Sequence, residues 1–259
     1  MTQNKKTKAP VEALRKGLQI LELLNADWRR EGIPLAQIAQ QMGQNKTTIH
    51  NLLKTLVICG FAENNDGIYT TGWKVRRLAK EQLAGDIVNQ NQKWIGALAV
   101  LAEKIEEPLV LASLIQGRRQ VIARAESTQS VQVNSKFCEQ NDMTTWETVT
   151  GRVLAAYALE QEKLQLFETD GIPGRRWNGL STIEETLEEL DRIKANGIAI
   201  DAEGEVFSAA VPIMTPDGSV FAALGVYLPM FRISPYRRSC ILKLLKEGAE
   251  TLASLIRNS

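Results

Sequence analysis

Residues 35–54 constrain the fold of this chain more than any other stretch of it. Two apolar stripes lie on either side of Gly43, and each has the three-and-four spacing of an amphipathic helix. The stripes consist of Leu35, Ile38, Ala39 and Met42, followed by Ile49, Leu52, Leu53 and Leu56. The small side chain of Ala39 lets the second helix cross close to the first, and Gly43 can adopt the positive φ of a sharp turn. The pattern predicts a helix-turn-helix.

The second of these helices is predicted to present polar side chains to DNA. Asn45 is suited to cap its N-terminus, because a short amide side chain can accept a hydrogen bond from a backbone N–H of the first turn. In a helix-turn-helix, the N-terminal part of this helix enters the major groove. The predicted DNA contacts are Gln44, Asn45, Lys46, Thr47, Thr48, His50, Asn51 and Lys54. The alternative is an ordinary helical hairpin whose polar side chains face water.

A predicted β-hairpin follows the second helix directly. Residues 59–70 contain two short segments with β character, separated by the turn dipeptide Asp66-Gly67. A hairpin in this place is the wing of a winged helix, and Asn64, Asn65 and Tyr69 are candidates to reach phosphates or a minor groove. The same three residues could equally serve the turn alone.

The charge of the chain is divided unevenly along its length. Residues 1–80 hold 13 Lys or Arg against 6 Asp or Glu, whereas the remainder holds 18 against 24. Basic side chains that neutralise phosphates release counterions, so a basic N-terminal part fits a nucleic-acid binder. The mildly acidic remainder fits a separate task. The predicted partner of the N-terminal part is double-stranded DNA.

Composition argues against several other classes of protein. With 259 residues and 44% hydrophobic content, the chain is long enough for two packed domains. No apolar run approaches the roughly 18 residues of a membrane span, and the polar N-terminus lacks the apolar segment of a signal peptide. We therefore expect a cytoplasmic protein that does not bind membranes. Three widely separated cysteines, Cys59, Cys138 and Cys240, fit reduced thiols better than disulfides or a zinc site.

Periodicity and composition divide the chain into four predicted segments. These are a flexible arm at 1–10, a winged-helix domain at 11–71, a linker helix at 72–85 and a larger domain at 86–259. The winged-helix domain should open with a supporting helix over 11–25. The side chains predicted to face its core are Val11, Leu14, Leu18, Leu21 and Leu24.

The larger domain is predicted to be α+β with an antiparallel sheet. Segments with β character lie at 109–115, 120–125, 198–201, 206–214 and 219–228. Helices are predicted over 87–105, 148–158 and 235–256. A further helix should begin with a capping box formed by Ser181 and Glu184 and end at Asn196-Gly197. Helices that alternate with hairpins in this way are typical of an α+β domain.

No catalytic, cofactor or metal site is predicted. Nucleophilic catalysis needs a base beside the nucleophile, and the single histidine, His50, lies in the predicted DNA-reading helix. The chain has neither of the common glycine-rich loops that cradle phosphates. Asp201, Glu203 and Glu205 could hold a cation, but an exposed turn has the same composition. The alternatives to a regulator are a DNA-binding enzyme, or a winged helix whose C-terminal domain serves only assembly.

Several runs resemble, in order and spacing, those of IclR-type transcriptional regulators from about Val11 to Ile256. Besides the helix-turn-helix they are VEAL at 11–14, LQILELL at 18–24, MTTWETVTGRVLA at 143–155, GIAID at 197–201, SAAVP at 208–212 and AALGV at 222–226. The resemblance implies a winged helix, a linker helix and a C-terminal domain of GAF-like fold that binds a small-molecule effector. It also implies a homodimer or a dimer of dimers.

By position, the resemblance implies an effector pocket on the concave side of the sheet. Its residues would be Trp146, Val149, Thr150, Val206, Ser208, Gly225 and Tyr227. Histidine is common in the family at Trp146, cysteine at Ser208, and small hydroxyl residues at Gly225 and Tyr227. Two rings in the pocket would favour a small, flat or sugar-like effector, such as an organic acid, an aromatic metabolite or a sugar, unless both rings belong to the core. Asn51 stands where arginine is common and leaves the operator sequence open.

Overall fold

The chain forms two compact units that divide after Lys80. The computed structural model describes residues 9–26, 31–88, 92–115, 117–127, 129, 144–216 and 218–257. Most of the predicted arm and Cys138 therefore lie outside the described residues. Within these ranges, none of the helices is long and apolar enough to cross a membrane.

The N-terminal unit is a winged helix-turn-helix, as predicted. Its elements are α1 (Glu12–Ala26), β1 (Ile33–Pro34), α2 (Leu35–Gln41), α3 (Lys46–Ile58), β2 (Ala62–Asn65), β3 (Ile68–Thr71) and the start of α4 (Trp73–Val88). The strands form an antiparallel sheet in the order β1-β3-β2. The sequence pattern did not indicate β1, because two residues are too few to show an alternation.

The turn between α2 and α3 forms as its residues predict. Gly43 has a φ of 59°, which a residue with a side chain rarely adopts. Asn45 caps α3 by accepting a 2.7 Å hydrogen bond from the backbone N–H of Thr48. The predicted stripes meet in the core of this unit, which consists of Ile20, Leu24, Ile33, Ile38, Ala39, Ile49, Leu53, Ala62 and Tyr69.

Helix α1 buries only part of the face that was predicted to meet the core. Its buried side chains include Ile20 and Leu24, whereas Val11, Leu14 and Leu18 are 58%, 61% and 53% exposed. The prediction was right for Leu24 and wrong for Val11, Leu14 and Leu18, because two apolar stripes run along this helix and spacing alone does not tell which of them packs against α3. The other stripe leaves an exposed apolar surface on α1.

The C-terminal unit contains a five-stranded antiparallel sheet in the order β5-β4-β8-β7-β6. The strands are β4 (Leu109–Ile115), β5 (Arg118–Ala125), β6 (Ala199–Asp201), β7 (Val206–Met214) and β8 (Val220–Pro229). The helices are α5 (Gln92–Ile105), α6 (Val149–Ala156), α7 (Glu160–Asp170), α8 (Ile183–Asn196) and α9 (Pro235–Arg257). The predicted α+β architecture is confirmed.

Helices cover both faces of this sheet, and the two faces differ in side-chain size. On one face, α5 and α9 pack over large residues such as Phe207, Phe221 and Leu224. On the other, α6 packs directly over small residues that include Ala210 and Ala223, and α7 and α8 join the same apolar cluster from outside α6. Small side chains let a helix approach the sheet closely. The second face is the one that carries the predicted effector residues.

The helix α8 begins one residue later than predicted. Thr182, not Ser181, is the capping residue, and its hydroxyl accepts a 3.1 Å hydrogen bond from the backbone N–H of Glu185. The Glu185 carboxylate accepts hydrogen bonds from the backbone N–H and hydroxyl of Ser181 and from Thr182, which lowers the pKa of Glu185. The sequence allows the capping pattern in two adjacent registers, and the later one forms.

Two further features differ from the sequence-based expectation. Helix α7 was not predicted, because only Lys163 and Leu166 along it are buried and its apolar pattern is correspondingly weak. Helix α4 runs without interruption through Gly85, the predicted boundary, whereas the two units divide after Lys80. A single glycine inside a helix is tolerated and is not by itself a boundary.

Candidate nucleic-acid interface and effector site

One side of α3 gathers most of the residues predicted to contact DNA. Ile49 and Leu53 are fully buried, so the opposite side of the helix faces away from the core. Gln44 and Thr48 at its N-terminal end are half-buried. The exposed members of the predicted set are Asn45, Lys46, Thr47, His50, Asn51 and Lys54. This exposed side is the candidate DNA-reading surface.

Hydrogen bonds fix the N-terminal end of this surface. The Asn45 side chain is occupied in capping α3, so its first role is structural. The Gln44 side-chain carbonyl accepts a 2.7 Å hydrogen bond from the ammonium group of Lys16 on α1. Lys16 was missed by the sequence reasoning, because the two residues are 28 positions apart and no local pattern links them.

The wing contains one predicted contact residue that is buried. Asp66 and Gly67 have φ values of 52° and 85°, as a tight hairpin turn requires, and the Asn64 side chain accepts a hydrogen bond from the Gly67 N–H. Asn64 and Asn65 are exposed. Tyr69 is only 5% exposed and its ring packs in the core, so the structure does not support its prediction as a DNA contact.

The predicted effector residues of β7 and β8 share one face of the sheet. Val206 and Ser208 alternate along β7, as Gly225 and Tyr227 do along β8, and alternate residues of a strand point to the same face. Ser208 lies directly opposite Tyr227 in the register. At the start of α6, Val149 and Thr150 are buried on the same side. The four strand residues therefore share the face that α6 covers, and Thr150 of α6 contacts this face at Gly225.

Gly225 is required for the close approach of α6 to the sheet. A Cβ atom at Gly225 would lie 2.6 Å from the methyl carbon of Thr150 and 3.2 Å from a methyl carbon of Val110. Such distances are shorter than van der Waals contact. The lack of a side chain at Gly225 therefore allows Thr150 to rest directly on β8.

Arg119 is a buried basic residue at this face that the sequence reasoning missed. It lies on β5 opposite Leu114 and is 2% exposed. Its Nε donates a 2.9 Å hydrogen bond to the hydroxyl of Thr150. The predicted strand began at 120, one residue after Arg119, and a register shift between Leu111 and Ala112 breaks simple alternation in this hairpin, so no local pattern marked Arg119 as buried.

Trp146 belongs to the core and does not line an open site. Its ring is fully buried and stacks against Phe167 and Trp177, with centroid distances of 5.3 and 6.4 Å. Its indole N–H donates a 2.8 Å hydrogen bond to the carbonyl oxygen of Gly171. The structure therefore does not support the prediction of Trp146 as an effector contact, because the polar edge of the ring is already satisfied within the fold.

A buried arginine engages the acidic residue that was a candidate for cation binding. Arg152 lies 3.0 Å from a carboxylate oxygen of Asp201 and also donates to the carbonyl oxygen of Trp146. Burial lowers the pKa of Arg152, while Asp201 acts in the opposite sense. Among the described residues, no group of three His, Cys, Asp or Glu is arranged to hold a metal ion.

A surface groove of about 320 Å³ lies on the opposite face of the C-terminal unit. It runs between α5 and α9 and is lined by apolar residues such as Val100, Leu101 and Leu252, with Lys104 and Glu247 at its margin. None of the predicted effector residues lines it.

Family models match both units of the chain. The IclR helix-turn-helix domain matches residues 13–66, and the C-terminal domain of the bacterial transcriptional regulator IclR matches residues 85–254. The chain belongs to the IclR family. As an IclR-type protein it is a DNA-binding transcriptional regulator, and the curated relatives that it matches are regulators and not enzymes.

Curated relatives of similar length include both an activator and a repressor. The p-hydroxybenzoate hydroxylase transcriptional activator of Acinetobacter baylyi is 22% identical, over 97% of this chain and 94% of that protein. The DNA-binding transcriptional repressor YiaJ of Escherichia coli is 24% identical, over 98% of this chain and 91% of that protein.

Solved structures of the family share the fold of this chain. An IclR transcriptional regulator from Silicibacter sp. TM1040 has a TM-score of 0.56 and 25% identity, with 95% of this chain and 96% of that chain covered. An IclR homologue from Microbacterium hydrocarbonoxydans, complexed with 4-hydroxybenzoate, has a TM-score of 0.53 and 20% identity, with 95% and 100% covered.

The contact between α6 and the sheet predicts a specific pattern of stability. Gly225→Ala should lower the free energy of unfolding by about 1–3 kcal/mol, because the new methyl group overpacks against Thr150. Thr150→Ser removes the methyl carbon but keeps the hydroxyl that Arg119 uses. Urea unfolding of both single variants and the double variant should show that Thr150→Ser recovers most of the loss. Strictly additive effects would contradict the proposed contact.

Proposed function

We propose that the exposed side of α3 reads operator bases in the major groove and that a small-molecule effector binds the face of the C-terminal sheet covered by α6. The observation that carries the first part is the geometry of α3, which is capped at Asn45, buried on one side and polar on the other. As the regulator's partner is DNA, we expect it to act in the bacterial cytoplasm.

Thr47, His50 and Asn51 suit base reading and Lys46 and Lys54 suit phosphate contact. Hydroxyl and amide side chains can distinguish base edges in the major groove, whereas lysine provides charge without fixed geometry. The exposed amides of Asn64 and Asn65 suit backbone contacts from the wing. With asparagine at 51 in place of the arginine common in the family, this position favours adenine over guanine.

The residues around this face favour an aromatic acid as the effector. Arg119 lies buried beside Thr150, and arginine is the residue best matched to a carboxylate. Tyr227 on the same face offers a flat ring surface. The 4-hydroxybenzoate complex of one structural relative and the name of the Acinetobacter activator are in keeping with this class.

We further propose that the regulator binds its operator as a dimer that α1 helps to form. Leu14 and Leu18 on α1, with Val11 just before it, form an exposed apolar stripe, and one stripe can pack against its own copy about a twofold axis. Two winged helices related in this way would meet half-sites about one helical turn apart. Effector binding would alter the affinity for DNA only to the extent that the effector binds the DNA-bound protein and the free protein with different affinities.

Replacing Thr47 and Thr48 with alanine should weaken specific operator binding by about tenfold, because contacts to base edges are lost. The measurement is fluorescence anisotropy with a site that the wild-type protein selects from random DNA. Thr55→Ala is the matched control, since Thr55 lies on the same helix and its hydroxyl bonds to the backbone of Asn51. Undiminished binding by the double variant would exclude this part of α3 from base reading.

Ser208→Trp should abolish the response to effector, because the ring would occupy the space beside Tyr227. The measurement is the shift in unfolding temperature with 4-hydroxybenzoate, other aromatic acids, keto acids and neutral sugars. Ser254→Trp adds the same ring at an exposed position of α9 and serves as control. A wild-type response that Ser208→Trp leaves intact would move the effector site elsewhere, and a wild-type protein that none of these compounds stabilises would favour a domain used only for assembly.

The double variant Leu14→Glu/Leu18→Glu should bind an operator with two half-sites more weakly than the wild type does, because charged side chains would disrupt the apolar contact. Its affinity should approach that for DNA with a single half-site. Band-shift titrations with one and two half-sites measure this difference. Ile58→Glu introduces a charge at another exposed apolar position and is the control. Equal behaviour of the α1 variant and the control would show that α1 does not form the dimer contact.

A further inference from the structure

Lys16 occupies an unusual position for a residue of the supporting helix. It is half-buried on α1, yet its ammonium group lies 2.7 Å from the side-chain oxygen of Gln44, immediately before the cap of α3. The Gln44 backbone is itself fixed, because its N–H donates to the carbonyl oxygen of Ala39. The ammonium group of Lys16 is therefore held at the end of α3 that faces DNA in the proposed function.

The ammonium group of Lys16 has a neutral hydrogen-bond partner in this position. Gln44 is a neutral acceptor, and among the described residues no carboxylate lies within ion-pair distance of Lys16. The neighbouring Arg15 is different, since it pairs with Glu12 and also bonds to Gln19. An ammonium group has three N–H donors, and the bond to Gln44 uses one of them.

The positive charge of Lys16 is unfavourable in the free protein and favourable in the proposed complex with DNA. Lys16 and Lys46 both stand near the N-terminal end of α3, which the helix dipole already makes positive. Cations at this end do not stabilise the helix, but they attract the phosphates that flank a major groove. Lys16 also binds the carbonyl side of the Gln44 amide and so leaves its two N–H donors to face an acceptor on DNA.

We propose that Lys16 is a DNA-binding residue that bridges a backbone phosphate and Gln44. It supplies one phosphate contact from outside the helix-turn-helix, and it orients the Gln44 amide for recognition. This inference rests on the proposed placement of α3 in the major groove.

Lys16→Met keeps the length of the side chain and removes the charge and the bond to Gln44. At about 0.1 M salt we expect roughly tenfold weaker operator binding, and the slope of log affinity against log salt should fall by about one. Lys16→Arg should retain most of the affinity. Arg15→Met is the matched control, because it removes a charge from the same helix that Glu12 already balances, and it should change affinity less than about twofold.

The bridging role has its own readout in a double-mutant cycle. Gln44→Ala should cost less affinity in the Lys16→Met background than in the wild type, because the bridge is already broken. Thermal unfolding of the free proteins should show that Lys16→Met is at least as stable as the wild type. Wild-type affinity and salt slope in Lys16→Met would overturn the proposal, as would a loss no larger than that of Arg15→Met. The Thr47 and Thr48 variants separate the two proposals: a loss there with an unaffected Lys16→Met refutes only the role of Lys16.

Discussion

The burial of one side of α3 is the constraint on which the DNA-binding unit depends. Ile49 and Leu53 have no exposed surface, and they hold the helix against α1 and α2 in a single orientation. Fully burying an aliphatic side chain of this size stabilises the fold by about 1.5–3 kcal/mol. The polar side chains of α3 contribute little to that stability, and their types can therefore be selected for operator recognition. Packing fixes the orientation of α3, and in the proposed function its exposed residues determine which bases it reads.

In the C-terminal unit, side chains alternate along each strand between a face of large residues and a face of small residues. Large residues of β7 and β8, such as Phe207 and Leu224, meet α5 and α9 and form a dense core. Alanine and glycine on the opposite face let α6 come close, and Arg119 and Thr150 are then buried with a hydrogen bond between them. A buried basic group is costly unless polar partners surround it. In the proposed function, the buried Arg119 and Thr150 suit this face to binding a polar small molecule.

The elements that local spacing determines were predicted well from the sequence. Gly43 and Asn45 indicated the turn and the cap of α3, and Asp66-Gly67 indicated the wing. Each of these residue types meets a local requirement of backbone geometry or hydrogen bonding. The α+β organisation of the second unit followed from alternating and helical periods in the same way. The family resemblance indicated which residues of β7 and β8 are candidates for effector binding.

The remaining features depend on contacts between distant parts of the chain, which spacing does not encode. Helix α1 carries two apolar stripes, and only its packing against α3 shows that Leu14 is exposed. Tyr69 and Trp146 could have been surface rings or core rings, and tertiary packing buries both. Lys16 and Arg119 become significant only through their bonds to Gln44 and Thr150.

Amide hydrogen exchange of the full chain, measured with and without its operator, tests whether α3 and the wing form the DNA-binding surface. Binding of the operator should slow exchange at the first turns of α3 and at the tip of the wing. An effector added alone should instead slow exchange in α6, β7 and β8. DNA protection confined to segments outside α3 and the wing would contradict the account, as would effector protection limited to the groove between α5 and α9.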